Sequence, residues 1–157
     1  MFRSIVVGTD GSPTAAEAVR RAGALADAFS ADLHVVSAYR PPAMVLAATA
    51  EPGLVSSVSL VDWEVAARDD VCALLDRVAA ELIGVGMSVT THAMPAHPAT
   101  AILSVAEAVG ADLIVVGNRG MRGARRLLGS VPNNIAHHAG CDVLVVDTVD
   151  ASVAVPS

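Results

Sequence analysis

The sequence predicts an α/β domain of three layers, α/β/α, on an open, five-stranded parallel sheet of Rossmann-like type with strand order 3-2-1-4-5. Short runs rich in Val, Ile and Leu recur along the chain, most of them near-continuous as in strands buried on both faces. Segments of helical period separate them, and strands alternating with helices make parallel sheets covered by helices on both sides. Right-handed crossovers then restrict the topology. In the order chosen, the chain reverses direction across the sheet between its first and fourth strands.

Each element has its own signal. Ser4–Gly8 (SIVVG) is dominated by β-branched residues and closed by a Gly/Asp turn. Ser12-Pro13 opens a helix, with the serine as N-cap and the proline in the first helical position. Ala15, Val19, Ala22, Leu25, Ala26 and Phe29 follow its 3.6 period. Asp32–Ala38 is the second strand. From Arg40 to about Val61 neither period holds, and Pro41, Pro42, Pro52 and Gly53 interrupt the chain. A stretch of this length in a compact domain reads as a functional or mobile loop. A long helix is expected from about Asp62 to Leu82, with Val65, Cys72, Leu75, Ala79 and Leu82 on one side. Met87–Met94 is the third strand, and Thr100–Val109 a helix with Ile102, Val105, Ala106 and Val109 in register. Asp112–Gly117 (DLIVVG) is the fourth strand, Ser130–His138 a short helix, and Asp142–Val146 (DVLVV) the last strand. One domain is expected over residues 1–147, with a flexible tail at 148–157.

Composition bounds the function. Of 157 residues 54% are apolar, chiefly 30 alanines and 25 valines, and 17% are charged, too apolar for a disordered chain. Aromatics make up 3% (Phe2, Phe29, Tyr39, Trp63), which leaves nothing to build a stacking platform for single-stranded nucleic acid. Ten basic residues against sixteen acidic ones give a net charge of −6, so no broad basic face can neutralise a duplex backbone. The longest uncharged stretch, Leu82 to Ala106, is broken by Pro95, Pro98 and two histidines, and no apolar run reaches the ~18 residues of a membrane span. Arg3 precedes only Ile5-Val6-Val7 before Gly8-Thr9-Asp10, too short for a signal peptide. Cys72 and Cys141 form no CxxC or metal pattern and read as reduced, packed thiols of a cytoplasmic protein.

In open α/β sheets ligands bind at the topological switch point, outside the carboxyl ends of the strands. The loops there are Gly8-Thr9-Asp10-Gly11-Ser12 and the segment from Gly117-Asn118 to Gly129-Ser130. The second holds four glycines in thirteen residues, Gly117 to Gly129, and glycines let backbone N–H groups approach an anion closely. Gly129-Ser130 opens a helix whose N-terminal amides and dipole favour a phosphate. Arg119, Arg122, Arg125 and Arg126 place four of the ten basic residues in this segment, which points to an anionic ligand.

These residues carry a resemblance. The start Ile5-Val6-Val7-Gly8-Thr9-Asp10-Gly11-Ser12, the A-D-L-I-V-V-G strand, the G-x-x-G…G-S loop and the final D-V-L-V-V strand resemble the universal stress protein family, across Ser4 to Val146. The family's ATP-binding subset carries G-x-x-G, nine residues, then G-S/T. The resemblance implies phosphate and ribose contacts at Gly117, Gly120, Gly129, Ser130 and Val131, and adenine-side contacts at Thr9, Asp10 and Val36. The neighbouring Gly11, Ser12, Asn118, Arg122, Arg125 and Arg126 complete the candidate cofactor-binding set. The chain departs from the pattern twice. Eight residues, Met121–Leu128, separate Gly120 from Gly129, and Ala96 stands where the family often has the Gly of a G-x-P turn.

Simpler roles stand beside these. Asp10 can form an Asx turn, Ser130 can act as an N-cap alone, and the arginines can form a solvated face. His137-His138 suits a helix C-terminus. His34 and His92 lie in strands and His97 in a turn, none with a carboxylate or cysteine at ligand spacing, so no metal site is expected. Gly117-x-x-Gly120-x-x-Gly123 is not the dinucleotide fingerprint, no GxxxxGK[ST] excludes a P-loop NTPase, and no GxSxG supports a Ser12–His34–Asp10 triad.

The reading that results is an adenine-nucleotide protein, taking ATP or else AMP or cyclic AMP, that acts as a stress-response sensor or regulator. Phosphoryl transfer needs a metal-holding carboxylate, and Asn118 to Ala139 contains no Asp or Glu. Asp10 alone is available to help hold Mg²⁺, so no catalytic residue is assigned and at most very slow ATP hydrolysis is expected. Two alternatives stay open: an ATP-using enzyme of the same fold, with Arg40–Val61 as its second pocket, and a non-nucleotide interaction module. The expected partners are the nucleotide, a second copy paired through Asp142–Val146, and a regulatory protein not named by the sequence; nucleic acid and membrane are excluded.

Overall fold

The computed structural model describes residues 1–41, 57–83, 87–118 and 131–148. Five strands form one parallel sheet: β1 (Ser4–Gly8), β2 (Asp32–Tyr39), β3 (Val89–Pro95), β4 (Leu113–Gly117) and β5 (Asp142–Val146), in the order β3-β2-β1-β4-β5. The predicted fold class and strand order are those observed. Strand β1 is central, with Ile5, Val6 and Val7 opposite Leu33, His34 and Val35 of β2 and opposite Leu113, Ile114 and Val115 of β4.

Helices cover both faces. Residues of one parity along the strands (Ile5, Val7, Leu33, Val35, Leu113, Val115) pack under α1 (Pro13–Phe29) and α2 (Ser57–Ile83). Those of the other parity (Val6, Val36, Ile114, Val116) pack under α3 (Pro98–Val109) and α4 (Val131–His138). Alanine explains how closely the helices lie. The buried stripe of α1 is Ala18, Val19, Ala22 and Ala26, short side chains that let taller Val and Ile of the sheet fill the gap.

The helix ends follow their sequence signals. Ser12 is the N-cap of α1, its Oγ accepting from the Ala15 N–H at 3.2 Å, with Pro13 next. Helix α3 stops at Gly110, whose φ of +60° is the left-handed conformation of a C-cap glycine. Ser30 takes the same conformation after α1, with φ 52°.

Several boundaries differ from expectation, the ends of β2 (Tyr39), α2 (Ile83) and β3 (Pro95) and the start of β4 (Leu113) by a single residue each. Helix α2 begins at Ser57, so residues 57–61 of the stretch assigned to a loop are helical. The cause is visible in burial: among the described side chains Val61, Trp63 and Val65 are exposed, and the later stripe Val71, Leu75, Val78 and Leu82 packs in the core. The first turns of α2 therefore carry no amphipathic signal, and Val65 does not lie on the packed side. Helix α3 starts at Pro98 rather than Thr100, as proline suits a first turn. Strand β3 runs two residues later than Met87, and α4 begins one residue after Ser130. Residues 42–56, the rest of that loop, and 149–157 of the expected tail lie outside the described residues.

A Cβ at Gly8 would overlap Ile102 Cδ1 and stand 3.2 Å from Ile102 Cγ1. We expect Gly8→Ala to lower stability by about 1–3 kcal/mol through overpacking. Ile102→Val removes the obstructing Cδ1, so adding Gly8→Ala to that variant should cost much less. Urea unfolding of the four-member cycle measures the difference; equal costs in both backgrounds would show that this contact does not set the packing.

Candidate functional site

Strands β1 and β4 are pinned together at one end and parted at the other. At the amino end the Asp112 carboxylate accepts from the Arg3 N–H at 2.7 Å and the Ser4 N–H at 3.1 Å. These bonds, with Arg3 nearby, hold its carboxyl below the usual range. The Asp112 N–H also donates to the Ser4 carbonyl at 2.9 Å. At the carboxyl end the bonds run outward. The Thr9 N–H donates to the Val36 carbonyl of β2 at 2.8 Å, while the Asn118 N–H donates to the Val146 carbonyl of β5 at 2.9 Å. The two exits thus bond to opposite neighbours, β2 and β5, and not to each other.

The first loop is held almost entirely by its own side chains. Thr9 is buried, and its Oγ1 accepts from the Gly11 N–H at 3.2 Å. Asp10 Oδ1 accepts from the Ser12 N–H at 2.9 Å, the Asx turn anticipated for it, while the residue itself is exposed. Gly11 has φ +76°, a conformation that a side chain would strain, and Leu74 of α2 lies against the position of its missing Cβ at 3.2 Å. Helix α1 follows directly, so its positive N-terminal end faces the carboxyl edge of the sheet.

The second loop starts from a clasp. Asn118 Oδ1 accepts from both the N–H and the hydroxyl of Thr148, at 3.0 and 2.8 Å, and Asn118 Nδ2 donates to Asp147 Oδ1 at 2.7 Å. Thr148 is 2% exposed, and its Cγ2 lies 3.2 Å from where a Cβ of Gly117 would stand. Asp147 and Thr148 carry no sequence signal that would have marked them, because their role comes from β5 lying beside β4.

Of the candidates, Thr9, Asp10, Gly11, Ser12, Gly117 and Asn118 are gathered at the ends of β1 and β4. Val36 is 1% exposed within the apolar layer, so what it gives the site is its carbonyl. Val131 opens α4 and packs against the α3 face. Gly120, Arg122, Arg125, Arg126, Gly129 and Ser130 lie outside the described residues. Among the described residues no group of three or more His, Cys, Asp or Glu is placed to hold a metal. Burial, with the Asp142 and Asp112 carboxylates, pushes the Cys141 thiol up, away from the reactive thiolate.

Replacing Asn118 by alanine strands the Thr148 N–H and hydroxyl in a buried place, a loss of about 1–3 kcal/mol. Thr148→Val removes only the hydroxyl and should cost less. Chemical denaturation of both variants checks the order, and an Asn118→Ala protein as stable as the parent would show that the clasp contributes nothing.

Comparison with known proteins agrees with this geometry. The model of the universal stress protein family matches residues 1–147. A universal stress protein of Mycobacterium tuberculosis H37Rv is 34% identical over 149 residues, covering 94% of this chain and 97% of that protein. Another, from Methanocaldococcus jannaschii, is 32% identical over 148 residues, covering 93% and 82%. Among solved structures, a universal stress protein crystallised in complex with cAMP superposes with a TM-score of 0.73 at 32% identity, covering 94% of this chain and 98% of that one. With its sheet order, its paired exits at the β1–β4 reversal and a family match across nearly its whole length, the chain belongs to the universal stress protein family.

Proposed function

We propose that this chain binds an adenine nucleotide, ATP in the first instance, between the exits of β1 and β4, and that it acts as a stress-response sensor or regulator in the cytoplasm. The observation that carries the reading is the pair of exits, Thr9–Ser12 and Gly117–Asn118, at the reversal of strand order, each bonded away from the other. The donor set fits a nucleotide. The first loop supplies hydroxyls, one carboxylate and main chain, suited to a base and ribose. Helix α4 opens at Val131 on the same edge, with Gly129-Ser130 just before it in sequence, suited to a phosphate. The relative crystallised with cAMP supports the class of ligand.

The residues assigned to phosphate are Gly117, Gly120, Gly129 and Ser130, with Arg122, Arg125 and Arg126 making charge-assisted contacts over a loop shorter by one residue than the family pattern. Mg²⁺, where it accompanies ATP, would have Asp10 as its nearest carboxylate in sequence. With no Asp or Glu from Asn118 to Ala139, nothing there orients a nucleophile or holds a metal, which supports signalling by occupancy over turnover. The regulatory protein that reads the occupancy is a partner we do not name.

Strand β5 is an edge, and Leu144 and Val145 are 38% and 37% exposed on it. An apolar edge strand without Pro or Lys invites pairing, and we propose that two copies pair through Asp142–Val146. Light scattering of Val145→Pro should report a monomer or an aggregate; an unchanged dimer would rule out this interface.

Calorimetry with ATP, AMP and cAMP tests the binding site. Gly120→Val and Gly129→Val should abolish binding while the circular-dichroism spectrum stays native. Arg125→Ala/Arg126→Ala should weaken ATP more than AMP, each lost charge-assisted contact counting about 1.5–3 kcal/mol, or roughly ten- to a hundredfold. Binding of AMP or cAMP without ATP would assign the shortened loop to fewer phosphates. A parent protein that takes up none of them at millimolar concentration would reject the site and leave the interaction-module reading.

A further inference from the structure

The registers of β2 and β3 bring together two histidines that are far apart in sequence. His34 pairs with Val6 on one side and Thr90 on the other, and His92 pairs with Val36. Both imidazoles therefore stand on the α3 face of the sheet, diagonal neighbours across adjacent strands. His34 Nδ1 and His92 Nε2 are 3.2 Å apart and the ring centroids 5.3 Å. Strand β3 is the sheet edge, and β2 lies between it and β1, so the pair is separate from the proposed nucleotide site. Nothing in the proposed function uses it.

We infer that His34 and His92 form a bidentate site for a borderline transition-metal ion of the Zn²⁺ class. Two Zn–N bonds of about 2.05 Å whose nitrogens lie 3.2 Å apart subtend roughly 100°, close to the tetrahedral angle. Imidazole is a ligand these ions favour over the oxygen-seeking Mg²⁺ and Ca²⁺. Without metal, one ring donates the hydrogen bond to the other. With metal, that proton moves to the donor ring's outer nitrogen, which frees both facing nitrogens to bind and loses no net proton. Asp32, two residues before His34, already acts on it electrostatically and adds a favourable charge. No third His, Cys, Asp or Glu completes the group among the described residues, so water fills the remaining positions.

The test uses untagged protein carrying His97→Ala, His137→Ala and His138→Ala, which leaves His34 and His92 as the only imidazoles among the chain's five. Titration with zinc chloride alone should show one saturable equivalent at sub-millimolar metal, with the two histidine ring signals shifting together in NMR. Adding His92→Ala or His34→Ala should abolish the uptake and leave circular dichroism unchanged, while magnesium should give no response in any variant. The inference is overturned if the three-alanine protein takes up no zinc while its circular dichroism is native. It is equally overturned if the His92→Ala protein takes up zinc as well as its parent does. The contact would then be a hydrogen bond within the sheet and nothing more.

Discussion

Hydrogen bonds between β1 and β4 are made freely at the amino end and diverted at the carboxyl end, and the rest of the site depends on that asymmetry. Asp112 ties its own backbone and side chain to Arg3 and Ser4, so the two strands start together. Beyond Gly8 and Gly117 each chain turns to its outer neighbour, β1's exit to Val36 and β4's exit to Val146. Backbone groups must find partners somewhere, and here they find them on the far sides. The inner sides face one another across the reversal of strand order, which is where a sheet of this type offers a crevice to a ligand.

Packing fixes the ends of the two strands at that reversal. Ile102 occupies the space in which a side chain at Gly8 would stand, so α3 sits directly on the last residue of β1. On the opposite face Gly117 leaves room for the Thr148 methyl and approaches the Thr14 carbonyl of α1, 3.5 Å from the Cβ position. A larger residue at either place would lift a helix or a loop from the edge that it helps to form. The alanines of α1 do the same along its length. With short residues on the helices and Val or Ile on the strands, the layers close, with Phe2 and Phe29 packed edge to face against one of the two apolar clusters.

Where a structural signal is local, the sequence shows it. Strand β4 announces itself through LIVVG, the α1 cap through Ser12-Pro13, and the glycine segment through composition alone. What is hidden depends on partners distant in the chain. Residues 61–66 of α2 are exposed, so no apolar period marks that part of the helix. Thr148 is buried because β5 delivers it to Asn118, 30 residues away in sequence. His34 and His92 are separated by 58 residues and meet only through the β2–β3 register. Each histidine looked alone because spacing along a chain carries no information about register between parallel strands joined by a helix.

The clasp at Asn118 joins two features that the sequence presents separately. Strand β5 carries the exposed apolar edge, and residues 147–148 just beyond it hold Asn118, the second residue of the glycine segment. Thr148, two residues beyond the end of β5, meets Asn118 directly through two hydrogen bonds, so the edge strand and the start of the loop are in contact. Linkage makes such a connection reciprocal: if pairing at the edge alters the loop's affinity for a ligand, ligand binding alters pairing by the same factor. Such a connection needs only a loop, an edge strand and the two residues that tie them.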